Sequence, residues 1–276
     1  MAFRPLNPRN AILEAIVLVH FNRPVFEFEA AAVRALHPQL KADLPKLQGP
    51  PPNAVFMSQA PVLPGPLVTP GIPLSMASFK RDGSVDTRLL LNGSVLAVNF
   101  LVYTRWAELR PKVVRWMKAF LDALAAAQQD HIPRLLVNVV AHQMIDVFKW
   151  EGESANMAIT ALMAQNAGRI PEAAWSEVGH GWFAAHALNK PVSLGPLTSV
   201  NLVDFVSFDL ADEQPLGWRF RMEHTIEARL ATPQEGSDLF TESSAATILD
   251  GLHSRNQDLI RRLLRPELLS SIGMGT

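Results

Sequence analysis

Two short turn sequences lie within one apolar stretch, residues 74–103, and they restrict the fold more than any other feature of the chain. The stretch reads LSMASFKRDGSVDTRLLLNGSVLAVNFLVY, with Asp82-Gly83 and Asn92-Gly93 between apolar runs. Both pairs tolerate the positive φ angles that tight β-hairpin turns require. The stretch therefore predicts three consecutive antiparallel strands.

The rest of the pattern predicts further strands and two long helices. Residues 11–21 carry apolar side chains on both faces, which is typical of a central strand. Apolar residues recur every three or four positions over 105–128 and 245–264, which predicts two amphipathic helices. Alternation predicts strands in PRLLVNVVAHQMIDVF and, in the second half, in WFAAHALNK, LTSVNLVDFVSFDL and GWRFRMEHTIEARL.

These elements predict an α+β fold, with mostly antiparallel strands in one or two sheets and the two long helices packed on one side. Residues 1–150 form a β-α-β-β-β-α-β half with a proline-rich insertion at 45–73, and residues 151–276 supply later strands and the closing helix. We expect one integrated domain. Middle strands and a closing helix recur in both halves, as in a loose two-half duplication, although no sequence repeat accompanies them.

The composition limits the kind of protein this can be. With 48% hydrophobic residues among 276, the chain can form a sizeable core. A net charge of -1 gives no basic excess for nucleic-acid binding, and the lack of cysteine excludes disulfides and thiol nucleophiles. The apolar run at 11–21 is too short to span a bilayer. We therefore expect a cytoplasmic protein without a membrane partner.

Four segments follow one another in an order that resembles a known group of proteins: NPRNAILEAIVLVHF, SFKRDGS…LNGSVLAVNFLVYTRWAEL, PRLLVNVVAHQMIDVF and LDGLHSRNQDLIRRLLRPELL. The chain is similar to a sporadically distributed bacterial family of about 260 residues that has no assigned activity. The proline-rich insertion departs from the family pattern. The scattered occurrence of the family implies an association with mobile elements, defence or toxin–antitoxin systems. The matching positions are Glu14, Arg134, Asn138, Leu249, Leu252 and His253.

His224 is the first candidate for chemistry. In WRFRMEHTIEARL, residues 218–230, it falls on the apolar face beside Met222 and Ile226, while arginines and glutamates fill the other face. Alternating charges of this kind are typical of a solvated ladder. His224 is either a catalytic base or a core histidine, and we favour the core because no acidic residue two positions away shares its face.

Four further polar residues lie in otherwise apolar strands: Glu14, Arg134, Asn138 and Asp204. Asp204 shares its predicted face with four apolar side chains, so its carboxylate needs a partner or an altered pKa. The four could line one polar cleft, which would suit an enzyme or a small-molecule binder. Alternatively, they could form separate polar contacts between neighbouring strands, and we favour this alternative.

Recognised catalytic motifs are missing from the chain. It has no phosphate-binding glycine loop, no Gly-x-Ser-x-Gly elbow and no HExxH. His180 and His186 are six positions apart, a spacing that suits metal binding neither on a strand nor on a helix. We therefore expect no metal and no cofactor, and we favour binding of another macromolecule, in a regulatory, defence or toxin–antitoxin role, over catalysis.

Two segments are candidates for contact with a protein partner. The proline-rich insertion carries apolar side chains, which either contact a partner or fold back over the core of the protein itself. If they contact a partner, Phe56, Leu63 and Leu67 are the predicted contacts. The segment PQEGSDLFTESSA, residues 233–245, resembles peptides that dock into the bacterial sliding clamp, with Leu239 and Phe240 as its apolar pair. The alternative, which we favour, is that this pair staples the following helix to the core.

Overall fold

The computed structural model describes residues 2–6, 11–48, 74–153, 157–164, 182–194, 197–212, 217–272 and 274. Its strands are β1 (Ala2–Pro5), β2 (Ile12–Phe21), β3 (Lys46–Gln48), β4 (Leu74–Phe79), β5 (Val85–Asn92), β6 (Val95–Phe100), β7 (Leu136–Glu151), β8 (Trp182–Leu194), β9 (Leu197–Asp212) and β10 (Trp218–Glu235). Its helices are α1 (Glu27–Ala35), α2 (His37–Leu40), α3 (Trp106–Ala126), α4 (Gly236–Leu239), α5 (Glu242–Leu263) and α6 (Pro266–Ser271).

One sheet contains all ten of these strands. Nine follow the order β3-β4-β5-β6-β2-β7-β10-β9-β8, and β1 pairs with the last residues of β7. Every described pair is antiparallel. The predicted α+β class with mostly antiparallel strands is therefore confirmed. Strand β7 lies between β2 and β10, so early and late segments of the chain meet in the same sheet.

The two predicted turns join β4 to β5 and β5 to β6. Gly83 and Gly93 have φ angles of 83° and 57°, the left-handed region that a side chain disfavours. Each turn brings its flanking strands into antiparallel register, with Leu89 opposite both Met76 and Val98. The turn chemistry thus accounts for this part of the sheet.

The two long helices are present close to their predicted bounds, at Trp106–Ala126 and Glu242–Leu263. Helix α3 contacts α5, and α5 contacts β7 and β10. The Thr241 hydroxyl accepts a hydrogen bond from the Ser244 amide and caps α5, which satisfies one of its free N–H groups. None of the helices that the structure describes combines the length and apolar character needed to cross a membrane.

The sheet has two faces with different surroundings. On the first, here called the core face, side chains such as Val17, Val98 and Phe220 join the main hydrophobic core together with Trp116 and Leu252 of the long helices. The other, here called the second face, also buries apolar side chains, but these lie outside the main core. They are Ile16, Ala77, Leu90, Ala97, Ala141, Ile145, Val147 and Val203.

The apolar pair of the segment that resembles a sliding-clamp peptide is part of the core. Leu239 ends the short helix α4 and is 2% exposed, and Phe240 follows it and is fully buried. Both side chains belong to the main core, so neither is available to a partner in this structure. The prediction that Leu239 and Phe240 contact a partner is therefore corrected: the pair packs in the core beside helix α5, as in the alternative. Phe56, Leu63 and Leu67 lie outside the described residues.

Candidate functional site

A chain of buried polar side chains, here called the histidine cluster, joins α5 to β7 and β10. It consists of Asp146, His224, Asn256, His142 and His253, none of which is more than 8% exposed. At its centre, His224 Nε2 lies 2.7 Å from Asp146 Oδ2, and His224 Nδ1 lies 3.1 Å from Asn256 Oδ1. His224 is therefore a core residue, as its apolar neighbours predict, but its partners come from distant parts of the chain.

The Asn256 amide fixes the protons on both neighbouring histidines. Its nitrogen lies 2.9 Å from the His142 carbonyl and 2.6 Å from His142 Nδ1, so both amide hydrogens are donated. Asn256 Oδ1 therefore accepts, which requires a proton on His224 Nδ1, and the single proton of the His142 ring is on Nε2. Because Asp146 occupies the other nitrogen of His224, that ring has no free nitrogen for general-base catalysis.

Trp106 of α3 covers the outer end of the cluster. Its ring stacks on His253 with 4.7 Å between centroids and meets His142 edge to face at 4.8 Å. Its Nε1 donates to Asp250 Oδ1 at 2.7 Å, and Asp250 also pairs with Arg110. The cluster is thus tied to both long helices as well as to the sheet.

Burial keeps the two outer histidines neutral. It lowers the pKa of His142 well below the ordinary value, and nearby His253 and His224 act in the same direction. It lowers the pKa of His253 to about 4. Within the described ranges, His142 Nε2 and His253 Nδ1 have no hydrogen-bond partner. The arrangement resembles a closed polar tie between helix and sheet more than an open reaction site.

A second set of polar residues, here called the second-face band, crosses six consecutive strands from β4 to β10. Arg88 lies directly opposite Asn99, and Ile145 lies between Glu14 and Glu223 in one cross-strand row. Adjacent strands are about 4.8 Å apart, so the two glutamate Cα atoms are about 10 Å apart across β7. The members of the band, in strand order, are Ser75, Arg88, Asn99, Glu14, Gln143 and Glu223.

The two glutamates of the band each accept a hydrogen bond from an amide. Asn99 Nδ2 donates to Glu14, and Gln143 Nε2 donates to Glu223. Arg221 Nη2 lies 3.0 Å from Glu223 Oε2. Burial raises the pKa of Glu223, Arg221 and Gln143 oppose that shift, and the negative charge of Glu14 adds to it. The two carboxylates are therefore close enough to influence each other.

At the other end of the band, three polar atoms have no hydrogen-bond partner among the described residues: Ser75 Oγ, Arg88 Nε and Asn99 Oδ1. Ser75 is 1% exposed, so bulk water does not solvate its hydroxyl. The three residues lie on the adjoining strands β4, β5 and β6. A buried polar atom without a partner destabilises a protein by about 1–3 kcal/mol, so three together on one face call for a physical reason.

The four residues predicted to share a cleft are not brought together. Glu14 lies on the second face, whereas Asp204 lies on the core face, where it pairs with Arg255 of α5 at 2.9 Å. Arg134 pairs with Glu235 and is 72% exposed. The remaining residue, Asn138, has a buried Oδ1 that finds no hydrogen-bond partner among the residues described. The predicted cleft does not form, and Glu14 is the member of it that belongs to the second-face band.

Sequence reasoning misses most of the band. The alternation in β10 predicts a solvated Glu223, but this residue is only 4% exposed. A weak signal exists in the neighbouring strands, where Arg88 and Asn99 interrupt apolar runs just as Glu14 does. Nothing in the sequence indicates that these interruptions come to lie on one face, because that depends on strand order.

Two further findings bear on both polar sets. Within the described parts of the chain, no group of three or more His, Asp or Glu side chains is placed to hold a metal ion. Comparisons with protein-family models, with curated proteins and with solved structures gave no match to this chain.

Proposed function

We propose that this protein binds a small polar ligand on the second face of its sheet. The observation that carries the proposal is the group of three unpartnered atoms on Ser75, Arg88 and Asn99. A ligand with matching donors and acceptors would satisfy them. Leu90 of β5 and Ala97 of β6 lie opposite each other and are buried, so they supply an apolar floor. A few polar groups on an apolar floor are typical of small-molecule sites.

Binding is favoured over catalysis by the state of the titratable groups. His224, the histidine candidate for a base, has both ring nitrogens engaged. A catalytic base needs a free lone pair within reach of its substrate. The described residues offer polar recognition groups more readily than a base and a nucleophile in contact.

Binding of another macromolecule, in a regulatory, defence or toxin–antitoxin role in a bacterial cytoplasm, stays a prediction. Of its predicted contacts, Leu239 and Phe240 are core residues. The others, Phe56, Leu63 and Leu67, fall outside the described residues. The small-ligand proposal is therefore the one for which described contacts give support.

The proposal is tested by a thermal-shift screen of the full chain against a library of small polar metabolites, repeated with Arg88→Gln. A ligand at 100 times its Kd stabilises a protein by about 2.7 kcal/mol, so true ligands raise the melting temperature by several degrees. We expect at least one such compound, with its shift abolished in Arg88→Gln.

Arg229→Gln is the matched control, because Arg229 is an exposed arginine on the same face of β10 and pairs with Glu227. This variant should keep the shift. Compounds that stabilise both variants equally would show that binding occurs elsewhere, and a screen in which no shift depends on Arg88 would contradict the proposal.

A further inference from the structure

We infer that the ligand of the second-face band carries a carboxylate at one end and a protonated amine at the other, as an ω-amino acid does. This inference rests on the proposed function and goes beyond it by naming the ligand class. Its basis is the unequal charge of the two ends of the band, which are occupied by Arg88 and by the pair Glu14 and Glu223.

The β4–β5 end of the band is suited to a carboxylate. Arg88 lies opposite Ala77, and Ser75 lies opposite Leu90, so Arg88 and Ser75 are diagonal neighbours on the same face. The Arg88 Nε and the Ser75 hydroxyl are both buried, and neither has a hydrogen-bond partner in the part of the chain that the structure describes. Asp86, two positions along β5, accepts hydrogen bonds from Ser78 and Thr87 and forms no described ion pair with Arg88.

An arginine in this state matches the chemistry of a carboxylate. The guanidinium group stays charged at any ordinary pH and presents a planar fork of N–H donors. Carboxylates accept two of these donors at once, and such charge-assisted pairs are the stronger hydrogen bonds in proteins. A hydroxyl donor beside the fork adds a further hydrogen bond to the same oxygen atoms.

The β2–β10 end of the band is suited to an amine. Glu14 and Glu223 flank Ile145 in one row, and Arg221 contacts Glu223. Glu14 has a hydrogen bond from Asn99 and no described cationic partner. Two carboxylates with one described cation leave an excess negative charge, which a bound ammonium group would neutralise.

Asn99 connects the two ends. It lies opposite Arg88, its Nδ2 donates to Glu14, and its Oδ1 is an unpartnered acceptor. An ammonium group between Glu14 and Asn99 would supply hydrogens to both oxygens. Arg88 and Glu14 lie two strands apart, on β5 and β2, and are displaced by two residues along the strand direction. Their Cα atoms are therefore about 12 Å apart. The Arg88 and Glu14 side chains take up part of this distance, so we expect the ligand charges to be separated by only a few bonds.

The test is isothermal titration of the full chain with glycine, β-alanine, 4-aminobutyrate, 5-aminovalerate and 6-aminohexanoate, and with butylamine and butyrate as one-ended compounds. We expect affinity to pass through a maximum along the amino-acid series. The best member should bind about tenfold or more tightly than either one-ended compound, as expected for one added charge-assisted contact. Length dependence of this kind would not arise from nonspecific charge attraction.

Variants assign the two ends. Arg88→Gln should lower the affinity for the best amino acid to that for butylamine and leave butylamine binding unchanged. Glu14→Gln should weaken butylamine and leave butyrate unchanged, and Arg229→Gln should alter neither. Circular dichroism and the melting temperature verify folding. If Arg88→Gln does not fold, Arg88→Lys, which keeps the charge but not the planar fork, should still lower carboxylate affinity.

The outcomes separate this inference from the proposed function. Butylamine binding as tightly as every amino acid, or an Arg88 variant that binds the best amino acid unchanged, would overturn the inference. If none of these compounds binds, while a different compound from the screen depends on Arg88, the inference is wrong and the proposed function stands. If no compound depends on Arg88, both fail.

Discussion

The histidine cluster makes the folded protein sensitive to acid. Burial lowers the pKa of His253 from an ordinary 6.5 to about 4 in the folded chain. Between these pH values the unfolded chain binds a proton that the folded chain excludes. The contribution of His253 to stability is therefore complete above pH 6.5, falls as the pH decreases, and stops changing below about pH 4.

The size of this effect follows from the pKa difference. One unit of pKa corresponds to about 1.4 kcal/mol, so His253 alone lowers the free energy of unfolding by about 3 kcal/mol by the time pH 4 is reached. His142 and His20, whose pKa values burial also lowers, act with the same sign. A domain is stabilised by about 5–15 kcal/mol in total, so the cluster controls a large part of its acid tolerance.

The assay is urea unfolding at several pH values between about pH 7 and pH 5, on the wild type, His253→Gln and His131→Gln. Carboxylates titrate in all three proteins, so only the difference in slope matters. His253→Gln should reduce the pH slope by about 1.4 kcal/mol per unit. His253→Gln also loses the stacking contact with Trp106, but this lowers the free energy of unfolding by the same amount at every pH and does not alter the pH slope. His131, at an exposed position, is the control. Parallel slopes for the wild type and His253→Gln would refute the reasoning.

Three further substitutions test other parts of the structure, each by urea unfolding. Asn256→Leu should destabilise the fold by about 3 kcal/mol because it leaves a ring nitrogen of His224 and one of His142 buried without a partner. Gln257→Leu on the same helix should have a smaller effect, and equal losses would contradict the role of the cluster. Phe240→Ala should lower the free energy of unfolding by about 3–5 kcal/mol, because it truncates a core side chain, whereas Phe26→Ala at an exposed position should lower it by less than about 1 kcal/mol. A Phe240→Ala protein as stable as the wild type would contradict the burial of Phe240. Glu29→Ala should lower the free energy of unfolding by about 3 kcal/mol, because the buried Glu29 carboxylate pairs with Arg23 and accepts a hydrogen bond from the Phe26 amide. A decrease of less than about 1 kcal/mol would contradict the importance of that ion pair.

Local sequence signals predict the strands, turns and long helices well. Gly83 and Gly93 adopt the positive φ angles that their turns require, and the periodicity of α5 places Leu249 and Leu252 in the core. Each of these features depends on neighbours within a few positions. The order of the strands does not, because β2 pairs with β6 and β7, which follow it by long and unequal intervals.

The candidate sites are less predictable for the same reason. His224 is correctly placed on an apolar face, but its partners Asp146 and Asn256 are separated from it by 78 and 32 positions. Asp204 needs a partner, as its apolar surroundings predict, and Arg255 supplies it from a helix rather than from a strand. A rule that identifies lone polar residues in apolar strands finds Glu14, Arg88 and Asn99, and only the strand order shows that they share a face.

The two polar sets meet back to back on β7 and β10, and together they specify how these strands pair. His142 and Gln143 are successive residues of β7, and Glu223 and His224 are successive residues of β10, so each pair points to opposite faces. The hydrogen bond from Gln143 to Glu223 crosses the strands on the second face, and Asp146 contacts His224 on the core face. Sliding β7 by one residue would exchange the faces of its side chains and break both contacts at once. Apolar side chains alone tolerate a slip better here, because both faces of β7 are buried and apolar residues occur on each. The polar contacts therefore fix the register on which the second-face band depends.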